Sequence, residues 1–337
     1  MAPRAVILGC QGPDLGAAER RFFASAAPWG FILFARNIEG PGQLRRLTGD
    51  LRDAVGRDAP VLIDQEGGRV ARMRGPDWRE WAPALEECAR LPGRELRARA
   101  MYLRYRMIAA ELRAVGIDVN CAPVLDVVQP DTHAVIRNRC YGGDPAEVAA
   151  IGRAVADGLI AGGVLPVMKH IPGQGRATLD SHLDLPRVPA ALADLEALDF
   201  APFRALADLP AAMSAHLVYP ALDPERPATL SPDVVRWIRG GIGFDGLLMT
   251  DDLSMKALRG PFGVRAEAAI GAGCDLVLHC NGNPAEAAAV AEVVPELAGR
   301  ALARAERAQA VRGSAGQADP AALEAEFVEL RGRAAGA

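Results

Sequence analysis

The chain has 337 residues, half of them hydrophobic, with a formal net charge of -4. This is enough apolar material for a sizeable core, and the acidic balance disfavours a surface built around nucleic-acid phosphates. No window approaches the ~20 consecutive apolar residues of a membrane span, and the run Ala5 to Leu8 is too short for a signal-peptide core.

In chain order, eight short β-rich runs are predicted as strands: Ala5–Gly9, Gly30–Phe34, Pro60–Asp64, Asp118–Ala122, Val164–Lys169, Ala211–His216, Gly246–Asp251 and Asp275–Cys280. Several are nearly continuous apolar runs, as in parallel strands covered on both faces. Between them lie Ala/Leu/Arg/Glu segments with helical spacing, such as Ala98–Val115 and Ala146–Ala161. Eight strand–helix units predict a single-domain α/β fold, a (β/α)8 TIM-type barrel. The barrel is expected over residues 1–312, with Ala285–Arg312 helical. Residues 313–337 then read as a short linker and a C-terminal helix, Pro320–Arg333, packed on or trailing the barrel.

Six cysteines at 10, 88, 121, 140, 274 and 280 form no Cys-x-x-Cys pair. Most lie in apolar runs, which predicts buried free thiols and a reduced, cytoplasmic compartment.

The predicted strand ends carry the polar signal. Strand three runs into Asp64-Gln65-Glu66, strand five into Lys169-His170, strand six into His216, strand seven into Asp251-Asp252 and strand eight into His279. In a barrel these ends converge on one face, where catalytic groups sit. Two connections are long, Gln129–Gly143 and Ile171–Val188, as lids or binding loops often are. Pro172, Gly173 and Gly175 in the second break regular structure and allow hinge motion.

Asp180 and His182, two apart in that loop, can form a dyad in which the carboxylate orients an imidazole acid/base. With Asp251 as an ionised carboxylate, such a dyad supplies the equipment for retaining glycoside hydrolysis. A loop hydrogen bond at Asp180 and helix capping by Asp251-Asp252 are the purely structural alternatives. A mixed metal site of His170, His182, His216 and Asp251, and a Schiff-base role for Lys169, are the chemical ones. The residues alone point to a barrel hydrolase or lyase with a His/Asp site.

The string Lys169-His170-Ile171-Pro172-Gly173-Gln174-Gly175, with Asp180-Ser181-His182 and Leu185-Pro186, resembles the signature of glycoside hydrolase family 3. Within it, the chain is most similar to the bacterial β-N-acetylhexosaminidase branch. Three further blocks agree in order: Ile63 to Val70, Ala122 to Asp126, and Thr250-Asp251-Asp252-Leu253-Ser254-Met255. The resemblance implies Asp251 as nucleophile, His182 as acid/base and Asp180 as its partner. It places Asp64, Arg72, Arg139, Lys169 and His170 on a terminal N-acetylglucosamine. It also implies a cytoplasmic exo-β-N-acetylglucosaminidase of peptidoglycan recycling that removes the sugar from anhydro-muropeptides. No metal or cofactor and no nucleic-acid or membrane partner is expected, and the chain is expected to be a monomer. Phosphorolysis is the alternative, because an imidazole acid/base leaves no anion to repel phosphate, and an inactive sugar-binding barrel is a remote one. The chain departs from the family pattern at Gln174, where a His is usual.

Overall fold

The computed structural model describes residues 2–179, 184–313, 316 and 319–335. All eight anticipated strands are present: β1 (Arg4–Gly9), β2 (Pro28–Leu33), β3 (Val61–Ile63), β4 (Val119–Asn120), β5 (Leu165–Pro166 and Met168–Ile171), β6 (Ala211–Ser214), β7 (Leu247–Asp252) and β8 (Leu276–His279). Every ladder between them is parallel. Strand β1 sits between β8 and β2, where Leu8 pairs with His279 on one side and Phe31 on the other. The two pieces of β5 close the barrel, because Leu165–Pro166 pairs with β4 and Met168–Ile171 with β6. The Val167 amide between them still reaches the Asn120 and Ala122 carbonyls, at 3.0 and 2.9 Å. The fold is thus the (β/α)8 barrel predicted.

Two strands are shorter than their apolar runs because side chains finish the ladder. At one end of β3 and β4, Asp118 Oδ1 accepts the Val61 amide at 2.9 Å. At the other, the Asn120 amide group bonds the Gln65 N–H and carbonyl at 3.0 and 3.1 Å. An antiparallel hairpin, Gln65–Gly67 with Val70–Ala71, follows β3 and was not anticipated.

The two crossover helices begin a little earlier than expected, at Arg94–Ala114 and Pro145–Ala161. The second starts where Asp144 accepts the Glu147 amide at 2.8 Å and Pro145 occupies the first turn. The continuous helix expected over Ala285–Arg312 is instead two, Pro284–Val293 and Gly299–Gln309. Pro295 lacks the amide hydrogen a helix needs. The interrupted segment bonds the N-terminus: Ala5 donates to the Pro295 carbonyl and Leu297 to that of Pro3.

A terminal helix, Pro320–Ala335, packs against Arg94–Ala114. All six cysteines are buried and free. Among the described residues, no helix is long and apolar enough to cross a membrane.

Candidate active site

At the C-terminal mouth of the barrel lies a cavity of about 380 Å³, within the usual range of small-molecule sites. Asp64, Arg72, Arg139, Lys169, His170 and Asp251 all line it, as do Arg69, Phe34 and Met213. Asp180 and His182 lie outside the described residues.

The lining is organised by two carboxylates, Glu66 buried and Asp64 partly exposed to the cavity, and by two buried cations. Lys169 Nζ lies 2.8 Å from Asp64 Oδ1 and 2.6 Å from Glu66 Oε1. Arg139 grips Glu66 in a bidentate pair, at 2.9 and 2.8 Å, the fork geometry that suits guanidinium to carboxylate. Arg72 donates to Asp64 Oδ2 at 2.9 Å and stacks its guanidinium 4.8 Å from the centre of the Phe34 ring.

Burial alone would raise the carboxyl of Asp64, but the charges of Lys169 and Arg72 outweigh it and hold Asp64 far below the carboxylate range. The same contest at Glu66, won by Arg139 and Lys169, leaves it at about 2. Lys169 is pushed above the ordinary lysine value, since Asp64 and Glu66 overcome its desolvation. A Schiff-base lysine must shed its proton, so the alternative of Lys169 as nucleophile fails here.

These pairs leave capacity for a ligand. An ammonium has three donors, and two of those of Lys169 face carboxylates. Each oxygen of Asp64 accepts one bond from Lys169 or Arg72 and keeps a second lone pair.

His170 is fixed from behind by Asp126, whose Oδ2 lies 2.7 Å from Nδ1. Because that carboxylate can only accept, the proton sits on Nδ1. Nε2 faces the cavity, 3.4 Å from Arg139 Nη2. The other oxygen of Asp126 accepts the backbone amide of Gln174 at 2.7 Å. Asp126 therefore ties the strand-five histidine to the start of the long loop.

Asp251 is the penultimate residue of β7 and stands at the cavity wall, and its Oδ1 accepts the Asp252 amide at 2.8 Å. Asp252 also lines the cavity, but its carboxylate is spent on structure. It accepts the amides of Ser254 at 2.9 Å and Cys280 at 3.1 Å, and the Ser254 hydroxyl at 2.5 Å. It thus caps a turn and links the ends of β7 and β8, rather than capping a helix.

Two strand-end histidines are bonded into the fold. His216 is fully buried, with Nδ1 2.8 Å from Thr229 Oγ1 and Nε2 3.0 Å from the Asp252 carbonyl. Burial lowers its pKa, so it is a neutral strut beneath the mouth. His279 is turned to Glu286, at 3.2 Å. The metal alternative loses His216 to these bonds, and among the described residues no group of His, Cys, Asp and Glu is placed to hold a metal.

The two long connections brace each other. Thr132 Oγ1 donates to the Gly175 carbonyl at 2.6 Å, and His133 N to that of Ala177 at 3.0 Å. Gly175 allows a close approach of the two loops: a Cβ there would fall 1.9 Å from the Val127 carbonyl oxygen. Of the neighbouring arginines, Arg139 reaches the cavity, while Arg137 bonds the loop carbonyls of Gln129 and Pro130.

Glu66 and Asp126 carry roles that the sequence pattern does not assign: both lie in the blocks that resemble family 3, and the three polar groups in a row after β3 are the signal that points to Glu66.

The chain matches the Glycosyl hydrolase family 3 N terminal domain over residues 18–312. It is 41% identical over 304 residues to a β-hexosaminidase of Alkalilimnicola ehrlichii, covering 86% of this chain and 84% of that one. NagZ from Neisseria gonorrhoeae, in complex with N-trifluoroacetyl-D-glucosamine, has a similar structure, with a TM-score of 0.84 and 32% identity over 100% of this chain and 98% of that one. A family 3 β-N-acetylglucosaminidase from a Paenibacillus species is also similar, with a TM-score of 0.80 and 32% identity. This chain spans 66% of that longer protein, and 98% of this chain is matched. Likeness of sequence along most of both chains, joined to likeness of backbone around the whole barrel, establishes that the chain belongs to glycosyl hydrolase family 3.

Proposed function

We propose that the protein is a retaining exo-β-N-acetylglucosaminidase that acts on terminal, non-reducing β-linked N-acetylglucosamine. The observation that carries this reading is the paired lining of the cavity. Asp64 pairs with Lys169 and Arg72, and Glu66 with Lys169 and Arg139, which leaves donors and acceptors to spare. Cations already matched by carboxylates suit a neutral, hydroxyl-rich ring better than an anion. The β-hexosaminidase relatives and the glucosamine analogue bound by the gonococcal protein support the same substrate class.

In this reading the sugar lies against Asp64, Arg72, Arg139, Lys169 and His170, with its anomeric carbon toward Asp251. Asp251 attacks that carbon while His182, oriented by Asp180, protonates the departing oxygen. A glycosyl ester forms on Asp251 and the aglycone leaves as an alcohol. His182, now neutral, takes a proton from water, which displaces Asp251 and restores the β-configuration. Two successive inversions give retention.

The cellular setting is peptidoglycan recycling in the cytoplasm, with the protein working as a monomer on anhydro-muropeptides. The likeness to the family and to its β-hexosaminidases supports this.

Labelling tests the assignment. A 2-fluoro sugar inactivator should form a stable ester that peptide mass spectrometry locates on Asp251, and Asp251→Ala should abolish turnover. A label on another carboxylate would refute it.

A further inference from the structure

The terminal helix Pro320–Ala335 begins after the last residue of the family match, at 312, yet it is linked to the backbone behind the cavity through Trp81 and Arg104. Phe327 is fully buried and meets the Trp81 ring edge-on, with centroids 5.5 Å apart at 81°. The guanidinium of Arg104 lies 5.3 Å from the centre of Trp81 and 5.8 Å from that of Tyr105. Arg79 stacks 4.3 Å from Trp81 and 5.2 Å from Phe327, and it pairs with Glu324 of the terminal helix.

From this stack Arg104 Nη2 donates to the backbone carbonyl of Glu66, which also accepts the Tyr105 hydroxyl at 3.3 Å. Among the described residues, Arg104 Nε and Nη1 have no hydrogen-bond partner. The guanidinium is therefore held in place by aromatic faces and one carbonyl. Gly67 allows the approach. Its φ is +99°, and a Cβ there would fall 1.9 Å from Arg104 Nη2 and 2.8 Å from Trp81 Cβ. The Gly68 amide adds a bond to the Trp81 carbonyl at 2.8 Å.

We infer that Phe327 and Arg104 are positioning residues for sugar binding: the terminal helix, through Trp81 and Arg104, sets the hairpin from which Glu66 holds Lys169 and Arg139. Sugar binding by this pocket rests on the function proposed above; the coupling of helix to hairpin does not. A core packed to near-crystalline density transmits such a displacement because it has no slack to absorb it. Loss of the Phe327 ring loosens the Trp81 face, and the hairpin backbone at Glu66 loses its fixed position, so the carboxylate shifts together with the Arg139 and Lys169 it pairs with.

The test compares wild type with Phe327→Ala, the milder Phe327→Leu, and Leu51→Ala, which opens a void in a buried helix position elsewhere in the barrel. Hydrogen exchange of peptides over residues 65–73 is read without any sugar. The inference expects roughly ten-fold faster exchange there in Phe327→Ala and an intermediate change in Phe327→Leu, with wild-type rates in Leu51→Ala. With 4-nitrophenyl N-acetyl-β-glucosaminide, KM should rise about ten-fold in Phe327→Ala while kcat changes less than about two-fold. Phe327→Leu should recover most of that affinity, and Leu51→Ala should leave KM unchanged. Exchange confined to the terminal helix, or an unchanged KM in an active Phe327→Ala enzyme, would overturn the inference. Should Phe327→Ala not fold, Phe327→Leu is judged by the same two readouts. A wild type that neither cleaves nor binds the glucosaminide would sink the proposed function instead, and the exchange data would still decide the coupling.

Discussion

Replacing Glu66 with glutamine removes one negative charge from the ion-pair cluster that holds Arg139 and Lys169, while preserving the shape of the side chain. Glu66 is buried between Arg139 and Lys169, and it titrates at about 2 in place of 4.5. That difference corresponds to roughly 3 kcal/mol of folded-state preference for the ionised form. An unfolding entropy of about 2.1 cal/mol/K per residue, over 337 residues, gives about 0.7 kcal/mol/K, so Tm should fall by about 4 °C at pH 7. The sign with pH follows from the depressed value. The stabilisation is complete above the unfolded-state value of 4.5 and is lost as pH falls through the folded-state value of about 2. Urea denaturation of wild type and Glu66→Gln at 25 °C should show a constant gap from pH 7 to about pH 5 that narrows toward pH 3. Equal stabilities at pH 7, or a gap that widens in acid, would refute the assignment of Glu66 as the ionised hub.

His182→Ala should slow the cleavage of glycosides with poor leaving groups by about a hundred-fold or more and activated aryl glycosides far less, because only the former need protonation. Equal slowing of both, in a leaving-group series, would remove the acid role. Asp126→Asn should raise KM roughly ten-fold by freeing His170 from its 2.7 Å partner, with kcat affected less. A change in kcat alone, from steady-state kinetics, would argue against it. EDTA should leave activity intact, and inhibition reversed by added zinc would revive the metal reading. Phosphate should not alter the product, and N-acetylglucosamine 1-phosphate as the main product by NMR would establish phosphorolysis.

Strand and helix placement were legible because they depend on local pattern. Runs such as Pro60–Asp64 and Gly246–Asp251 announce buried parallel strands by composition, and the alternation with helical segments predicts closure. Strand-end position then brings Asp64, Lys169, His170 and Asp251 to one mouth, since parallel strands in a barrel share a direction. Where prediction erred, a specific residue was responsible: Pro295 divided a helix, and the side chains of Asp118 and Asn120 shortened two strands.

Polar partners were not legible in this way, because the pairing of one side chain with another is a long-range event. His216 and His170 look alike as strand-end imidazoles, yet one bonds Thr229 and the Asp252 carbonyl while the other faces the cavity with Asp126 behind it. Asp251 and Asp252 are neighbours, and only the fold gives Asp252 to the Ser254 and Cys280 amides. The sequence by itself determined the barrel, its direction and the set of polar groups at its mouth, because periodicity and strand polarity are properties of the chain. The tertiary structure decided which of those groups are matched in charge. It also placed a helix some 260 residues downstream of Glu66 behind it, since a pairing energy exists only once distant segments share a low-dielectric interior.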